Sequence, residues 1–254
     1  MTTPPASTRI SVVIPVKDDA PALSRCLGAL ASQSRAPDEV VVVDNASSDD
    51  SAALARAAGA RVVPCPTPGI PAAAATGYDA ATGSLVLRLD ADSLPGPDWV
   101  AAYAVAFRDR PDVAAFTGGA RFHDGPVLLR TPLASAYLIG YALAGFAALG
   151  HLPLFGSNMG FRREAWLRVR GRVHRLDAEV HDDLDLAFHL GERRRIRFLP
   201  GAALGISMRP FHDVRAFRIR VRRGFRTVLR HWPVDFPVMR WDRRFLRAAG
   251  RAAR

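Results

Sequence analysis

Two rhythms of apolar residues alternate along the first part of the chain. Ile10 to Val16 (ISVVIPV) and Glu39 to Val43 (EVVVV) are too short for helices and too uniformly apolar for strands with a wet face. They predict buried central strands. Between them, within Ala20 to Gln33, Leu23, Leu27 and Leu30 recur at helical spacing. A strand, helix, strand order of that length implies a parallel pair. The alternation continues with a helix over Asp49 to Ala58, a strand over Arg61 to Pro64, a helix over Ala72 to Ala81 and a strand over Ser84 to Leu89. The class that follows is α/β, with a Rossmann-like, mostly parallel central sheet flanked by helices.

Beyond Leu89 the rhythm loosens. Val113 to Thr117 predicts a strand. Leu133 to Leu149 is uncharged, rich in alanine, leucine and glycine, and close to the length of a membrane span. A span there would put two parts of one ligand-binding rim on opposite sides of a membrane, so a buried or membrane-interface helix is expected. Phe155 to Phe161 (FGSNMGF) predicts a glycine-punctuated loop ahead of a helix at Arg163 to Val169. His181 to Leu190 (HDDLDLAFHL) starts acidic and continues with Leu184, Leu186, Phe188 and Leu190. Short strands are expected at Arg197 to Leu199 and Ala203 to Ile206. A basic amphipathic helix follows over Val214 to Leu229, with Phe217, Val221, Phe225 and Val228 or Leu229 on one side.

Composition narrows the class further. A chain of 254 residues with 49% hydrophobic content can fill a sizeable core. Cys26 and Cys65 are too few for a disulfide framework and match no zinc spacing, so a reducing compartment is the expectation. Met1 to Thr8 lacks the pattern of a secretion signal and reads as a frayed end. The formal charge of +11 suits nucleic acid, an anionic membrane or phosphate-bearing substrates, and equally an arginine-rich composition without a role. Lys17 is the only lysine, and the arginine excess gathers in Arg215 to Arg230 and Arg240 to Arg254. Most aromatic residues fall at core-like spacing rather than among the arginines, so no nucleic acid partner is expected.

In such sheets ligands bind beyond the carboxyl ends of the strands. Lys17, Asp18 and Asp19 follow the first strand, Asp44, Asn45 and Ser47 the second, and Asp90, Asp92 and Ser93 the fourth. Carboxylates gathered on one rim repel unless a cation or hydrogen-bond donors lie between them, and a metal is the economical explanation. Asp90 and Asp92, spaced i and i+2, can offer oxygens to one hard cation and leave positions for water and diphosphate. Alone, the triplet is also common turn chemistry. Asp44 can accept hydrogen bonds from a base or ribose, or cap the helix that follows. Gly156, Ser157 and Asn158 allow close backbone approach to a sugar, with an ordinary turn as the competing reading. His212 is a further candidate metal or diphosphate ligand, and Arg222 or Arg223 could hold diphosphate or lipid headgroups.

The run SVVIPVKDDAPALSRCLGALASQSRAPDEVVVVDNASSDDS resembles the opening of the family-2 glycosyltransferases. Asp90 and Asp92 stand at that family's DxD position, and HDDLDLAFHL is similar to its later "ED" helix start. The resemblance implies a GT-A fold, Mg2+ or Mn2+, inversion at the anomeric carbon, and a nucleotide-diphosphate sugar donor, UDP-linked first and GDP-linked second. It implies Pro15, Lys17 and Asp44 near the nucleotide, Asp90 near ribose or metal, Asp92 on the metal and Asp183 as general base. Asp182 joins the 156–158 loop as a candidate acceptor or sugar contact. The implied organisation is a flexible 1–8, a catalytic domain over 9–206 (nucleotide-sugar and metal half 9–120, acceptor half 121–206) and a basic helical extension over 207–254.

Some positions depart from the family pattern. Ala74 and Ala75 replace an Arg-Asn pair common in the helix before DxD, and the first acid of "ED" is shortened to Asp182. Arg218 to Gly224 lacks the tryptophan of the polymer-forming synthases, which favours transfer of a single sugar. Asp182 or Asp183 could instead serve only to cap a helix. The alternative to an enzyme is a degenerate nucleotide-sugar-binding or scaffold protein. A hydroxyl acceptor, with a lipid-linked one among the options, and a cytoplasmic location, with peripheral attachment to the inner face of a membrane as a variant, complete the expectation.

Overall fold

The computed structural model describes residues 8–211 and 214–252. Its strands are β1 (Ile10–Val16), β2 (Glu39–Asp44), β3 (Arg61–Pro64), β4 (Leu85–Leu89), β5 (Leu94–Pro95), β6 (Val113–Phe122), β7 (Asn158–Arg162) and β8 (Arg195–Ile206). The helices are α1 (Ala20–Ala31), α2 (Ser51–Ala57), α3 (Ile70–Ala80), α4 (Trp99–Asp109), α5 (Arg130–Leu149), α6 (Arg163–Val169), α7 (Asp182–Leu190), α8 (Val214–Arg230) and α9 (Pro237–Ala252). One sheet runs in the order β3-β2-β1-β4-β7-β6-β8-β5.

The β-branched runs are where the sheet is driest. Val12, Val13 and Ile14 of β1 and Val41 to Val43 of β2 are fully buried, because helices cover both faces. Leu23, Cys26, Leu27 and Leu30 of α1 pack on one face with Trp99, Tyr103 and Phe107 of α4. On the other, Ala72 to Ala75 and Tyr78 of α3 meet Trp166 of α6 and Leu184, Leu186 and Phe188 of α7.

Strands β3, β2, β1 and β4 are parallel, as the strand-helix alternation predicts. The other half differs from expectation. Asn158 to Phe161, read as part of a loop, belong to β7, which runs antiparallel between β4 and β6. Gly160 permits this, since a Cβ there would meet Leu87 at 2.5 Å and Tyr103 at 2.9 Å. The two short strands expected at 197–199 and 203–206 are one strand, β8, parallel to β6 with an irregularity between Gly118 and Ala120. Helix α5 is not buried: only Ala134, Gly145 and Leu149 are, while Leu133, Ile139, Leu143 and Phe146 face outward.

Topology positions the rim. Because β7 is antiparallel to β4, its first residue, Asn158, pairs with Leu89, the last of β4. Gly156 and Ser157 are thereby delivered beside Asp90. Strand β8, parallel to β6, ends at Ile206 and sends Arg209 to the same edge.

Candidate active site

The loops after β1 and β2 clasp one another. Asp18 Oδ1 accepts from Ser48 N at 2.6 Å, and Asp18 N donates to Ser47 Oγ at 3.1 Å. Asp18 and Ala46 take left-handed φ values of 50° and 55°, which non-glycine residues adopt only when their surroundings enforce it. Asp44 follows in register with Val16, and its Oδ1 accepts from Ser47 N at 3.0 Å. Asn45 is committed internally, donating to the carbonyls of Cys65 and Thr67 and accepting from Gly69 N. Lys17 is exposed and Pro15 half-buried on this same edge.

Arg88, inside β4, organises the centre. Its side chain is only 3% exposed, and its guanidinium lies 3.0 Å from Asp90 Oδ1 and 2.9 Å from Asp182 Oδ2. Ser157 Oγ donates to the other Asp90 oxygen at 2.5 Å. Asp183, at the start of α7, accepts from Gly156 N at 2.7 Å and from Leu184 N at 2.7 Å. A Cβ on Gly156 would meet Arg88 Nη1 at 2.0 Å, so only glycine fits between arginine and base candidate. The DxD turn, the 156–157 loop and the acidic helix start thus form one connected unit. His181, the residue before α7, makes no side-chain cap bond, and Asp183 takes up one first-turn N–H, that of Leu184, while its other oxygen reaches across to Gly156.

Charge at this unit is finely set. Burial, then the charge on Asp183 and Asp90, push the Asp182 carboxyl up to about 6 against the pull of Arg88. Burial and then Asp90 push Asp92 upward, opposed by Arg209. Arg209 Nη2 bridges Asp92 Oδ2 at 3.0 Å and Asp19 Oδ2 at 2.5 Å. Arginine, where a metal was the economical explanation, is what stands between these rim carboxylates. The donor set nonetheless suits a hard divalent cation: oxygen ligands at Asp92, with a carboxylate whose burial is relieved by positive charge.

Several contributors escaped sequence reasoning. Arg88 carried a legible signal, a charge inside the apolar run LVLRL. Arg209 did not, nor did His123, whose Nε2 lies 3.2 Å from Asp92 O. Arg220 of α8 donates to Tyr137 Oη at 3.1 Å, and Tyr141 donates to Leu154 O at 2.6 Å, forming a wall beside the loop. Two expected roles are not met in the geometry. Asn158 is fully buried, accepting from Trp99 Nε1 and Tyr103 Oη and donating to Gly119 O and Ala202 O, so its amide faces the core rather than a sugar. Arg222 and Arg223 pair with Glu179. His212 lies outside the described residues. Ala74 and Ala75 are buried against the sheet.

Residues 11–169, well over half of the chain, match the model of glycosyl transferase family 2. The chain belongs to glycosyl transferase family 2. An undecaprenyl-phosphate 4-deoxy-4-formamido-L-arabinose transferase of Sodalis glossinidius (strain morsitans) is 38% identical over 108 residues, covering 39% of this chain and 33% of that protein. An uncharacterized glycosyltransferase of Mycobacterium tuberculosis is 39% identical over 87 residues, 34% of this chain and 38% of its own length. The matched stretch is therefore well under half of these relatives' length. Among solved structures, the mannosyltransferase PcManGT from Pyrobaculum calidifontis, in complex with GDP-Man and Mn2+, aligns with a TM-score of 0.66 at 25% identity over 91% of this chain and 67% of that one. Glucosyl-3-phosphoglycerate synthase from Mycobacterium tuberculosis, in complex with Mn2+, uridine-diphosphate and phosphoglyceric acid, aligns at 0.61 and 18% identity over 87% of this chain and 79% of that one, which speaks to fold alone. The family 2 chain has the GT-A fold.

Proposed function

We propose that this family 2 chain transfers a single sugar, with inversion, from a nucleotide-diphosphate sugar to a hydroxyl acceptor. The observation that carries the reading is the unit Asp90, Arg88, Asp182, Asp183, Gly156 and Ser157, which joins the DxD turn to a candidate base through direct contacts. The nucleotide lies over Pro15, Lys17 and Asp44, on the parallel half of the sheet, and residues 9–206 act as the catalytic domain, with 207–254 as an extension. Asp92, with Asp90 beside it, would hold Mg2+ or Mn2+. When bound, that cation offsets negative charge on the departing diphosphate.

Asp183 removes the acceptor proton. Its hydrogen bonds from Gly156 N and Leu184 N fall on different oxygens and leave each a lone pair, and it is half-buried rather than sealed. Arg88 holds Asp182 and Asp90 in place, and Gly156, lacking a side chain, lets loop and base approach. The acceptor side is bounded by Tyr137, Tyr141 and Arg220. Exposed apolar residues of α5 beside the basic α8 favour a lipid-linked acceptor at an anionic membrane surface, and the name of the Sodalis relative also includes a lipid, undecaprenyl phosphate.

A second reading, nucleotide-sugar binding without transfer, is favoured by the methyl groups of Ala74 and Ala75 packed into the core. A panel of UDP- and GDP-sugars with Mn2+, read for both stabilisation and transfer, separates the two, a ligand at about 100 times its Kd raising stability by about 2.7 kcal/mol. Asp183→Asn is expected to keep donor- and Mn2+-dependent stabilisation while losing transfer by roughly 10²–10⁴-fold, the usual worth of a positioned base. Asp92→Asn is expected to lose both. Undiminished transfer by Asp183→Asn would remove it as the base, and stabilisation without transfer in the unaltered protein would establish the binding-only reading.

A further inference from the structure

On the opposite side of α7 from Gly156, three histidine rings converge on a single carboxylate. Asp185 and His189 stand one turn apart on α7, His174 comes from the segment before that helix, and His231 follows the end of α8. One ligand-capable atom from each of the four lies within 4.8 Å of the others. Asp185 Oδ1 is the focus, with His174 Nδ1 at 2.7 Å, His231 Nε2 at 3.3 Å and His189 Nε2 at 3.7 Å.

Hydrogen-bond accounting leaves this cluster incomplete. Asp185 Oδ2 is occupied by His174 N at 2.8 Å. His231 Nδ1 lies 2.8 Å from Thr227 O. A carbonyl only accepts, so Nδ1 carries the proton, and in the neutral ring Nε2 presents a lone pair. In that state the lone pair faces an anionic oxygen 3.3 Å away. Both ring nitrogens of His189 lack a partner, although its side chain is only 6% exposed. Lone pairs aimed at a carboxylate in a dry pocket repel one another, and buried polar groups are ordinarily satisfied. A cation among them would take up the Nε2 lone pair of His231 and one nitrogen of His189 while offsetting the charge of Asp185.

We propose that His174, Asp185, His189 and His231 form a structural site for a divalent zinc-type cation, distinct from the DxD rim. Three imidazoles and one carboxylate are a tetrahedral donor set for such an ion, whereas Mg2+ prefers oxygen ligands alone. Four protein ligands leave no open position, which marks a structural rather than a catalytic centre. Ligand atoms on tetrahedral zinc lie about 3.4 Å apart, so atoms now up to 4.8 Å apart close by up to about 1.4 Å while the 2.7 Å His174–Asp185 pair opens slightly. Thr227 O on His231 and His174 N on Asp185 are the outer contacts that orient such ligands. The proton that His174 Nδ1 now shares with Asp185 leaves on binding. The cation ties α8 to the helix that carries Asp182 and Asp183.

Full-length protein free of any histidine tag and stripped with a chelator is titrated with Zn2+ and with Co2+. The expected results are one retained equivalent per chain after desalting, the visible spectrum of tetrahedral Co2+, and a metal-dependent rise in Tm. His231→Ala is expected to weaken uptake at least about 10–100-fold, the range known for disturbing even outer contacts. Since that buried residue also packs on Phe188, His174→Ala, half-exposed, is measured beside it and is expected to show the same loss. Asp92→Asn keeps the full equivalent. The proposal is overturned by absence of stoichiometric Zn2+ or Co2+ in the unaltered protein, by undiminished uptake in both histidine variants, or by loss of the metal in Asp92→Asn.

Discussion

Arg88 shows how one residue can decide the electrostatics of a site. Buried guanidinium and carboxylate groups are costly to desolvate, and removing one partner strands the other. Arg88→Met should therefore destabilise the fold by about 3–5 kcal/mol in denaturant titration, whereas a loss under about 1 kcal/mol would show the pairing to be incidental. Asp182 adds a pH signature of known sign. Its carboxyl, ordinarily near 3.8, is raised by burial to about 6 in the folded state. The folded chain thus binds more protons than the unfolded chain between those values. Its stabilising contribution is complete below pH 3.8 and lost as pH rises through about 6. Asp182→Asn should flatten Tm across that interval, and unchanged curvature would refute the assignment.

At the scale of elements, what the sequence disclosed followed its local rhythm. Buried parallel strands announce themselves through unbroken apolar runs, so β1, β2 and β4 are legible almost to the residue, and with them the rim carrying Asp44, Asp90 and Asp92. Strand β7 did not announce itself, because NMGFR owes its place to tertiary fit: Gly160 admits Leu87 and Tyr103, and Asn158 closes the far end. Helix α4 lay unnoticed for a related reason, its short apolar positions Trp99, Tyr103 and Phe107 sitting after a proline-rich turn. The Arg209 bridge spans a sequence distance that no local pattern encodes. Asn158 offers the measurable consequence. Replacing it with alanine leaves the Trp99 indole, the Tyr103 hydroxyl and two backbone carbonyls without their partner. At about 1–3 kcal/mol for each stranded buried group, Asn158→Ala should lose at least 3 kcal/mol or so, and a near-neutral result would mean that water replaces the amide.

The whole molecule presents apolar helix faces that its own core does not use. Helix α5, together with the turn before it, is the one described segment long and apolar enough to cross a membrane, yet it packs on β6 and α9 within the fold. Helix α8 is anchored at Thr227, whose hydroxyl accepts from His181 N at 2.8 Å, and turns the opposite side outward. On that side Val214, Phe225 and Leu229 are 74%, 70% and 62% exposed, among arginines. A helix lying in the plane of an anionic bilayer has this composition, with its apolar face in the acyl boundary and its cations at the headgroups. Each basic residue near such a surface contributes about 1 kcal/mol, and burial of a phenylalanine or leucine about 1.5–3 kcal/mol. The protein should therefore co-sediment with phosphatidylserine-containing vesicles, less at high salt because the charge term is screened. Phe225→Asp with Leu229→Asp should reduce that partitioning at least about tenfold, since either lost burial alone exceeds 1.4 kcal/mol. Neither residue touches the Arg88 unit, so transfer to a soluble acceptor analogue should survive while transfer to a vesicle-borne acceptor falls. Equal sedimentation of the double variant and the unaltered chain would leave the outward face without a membrane role.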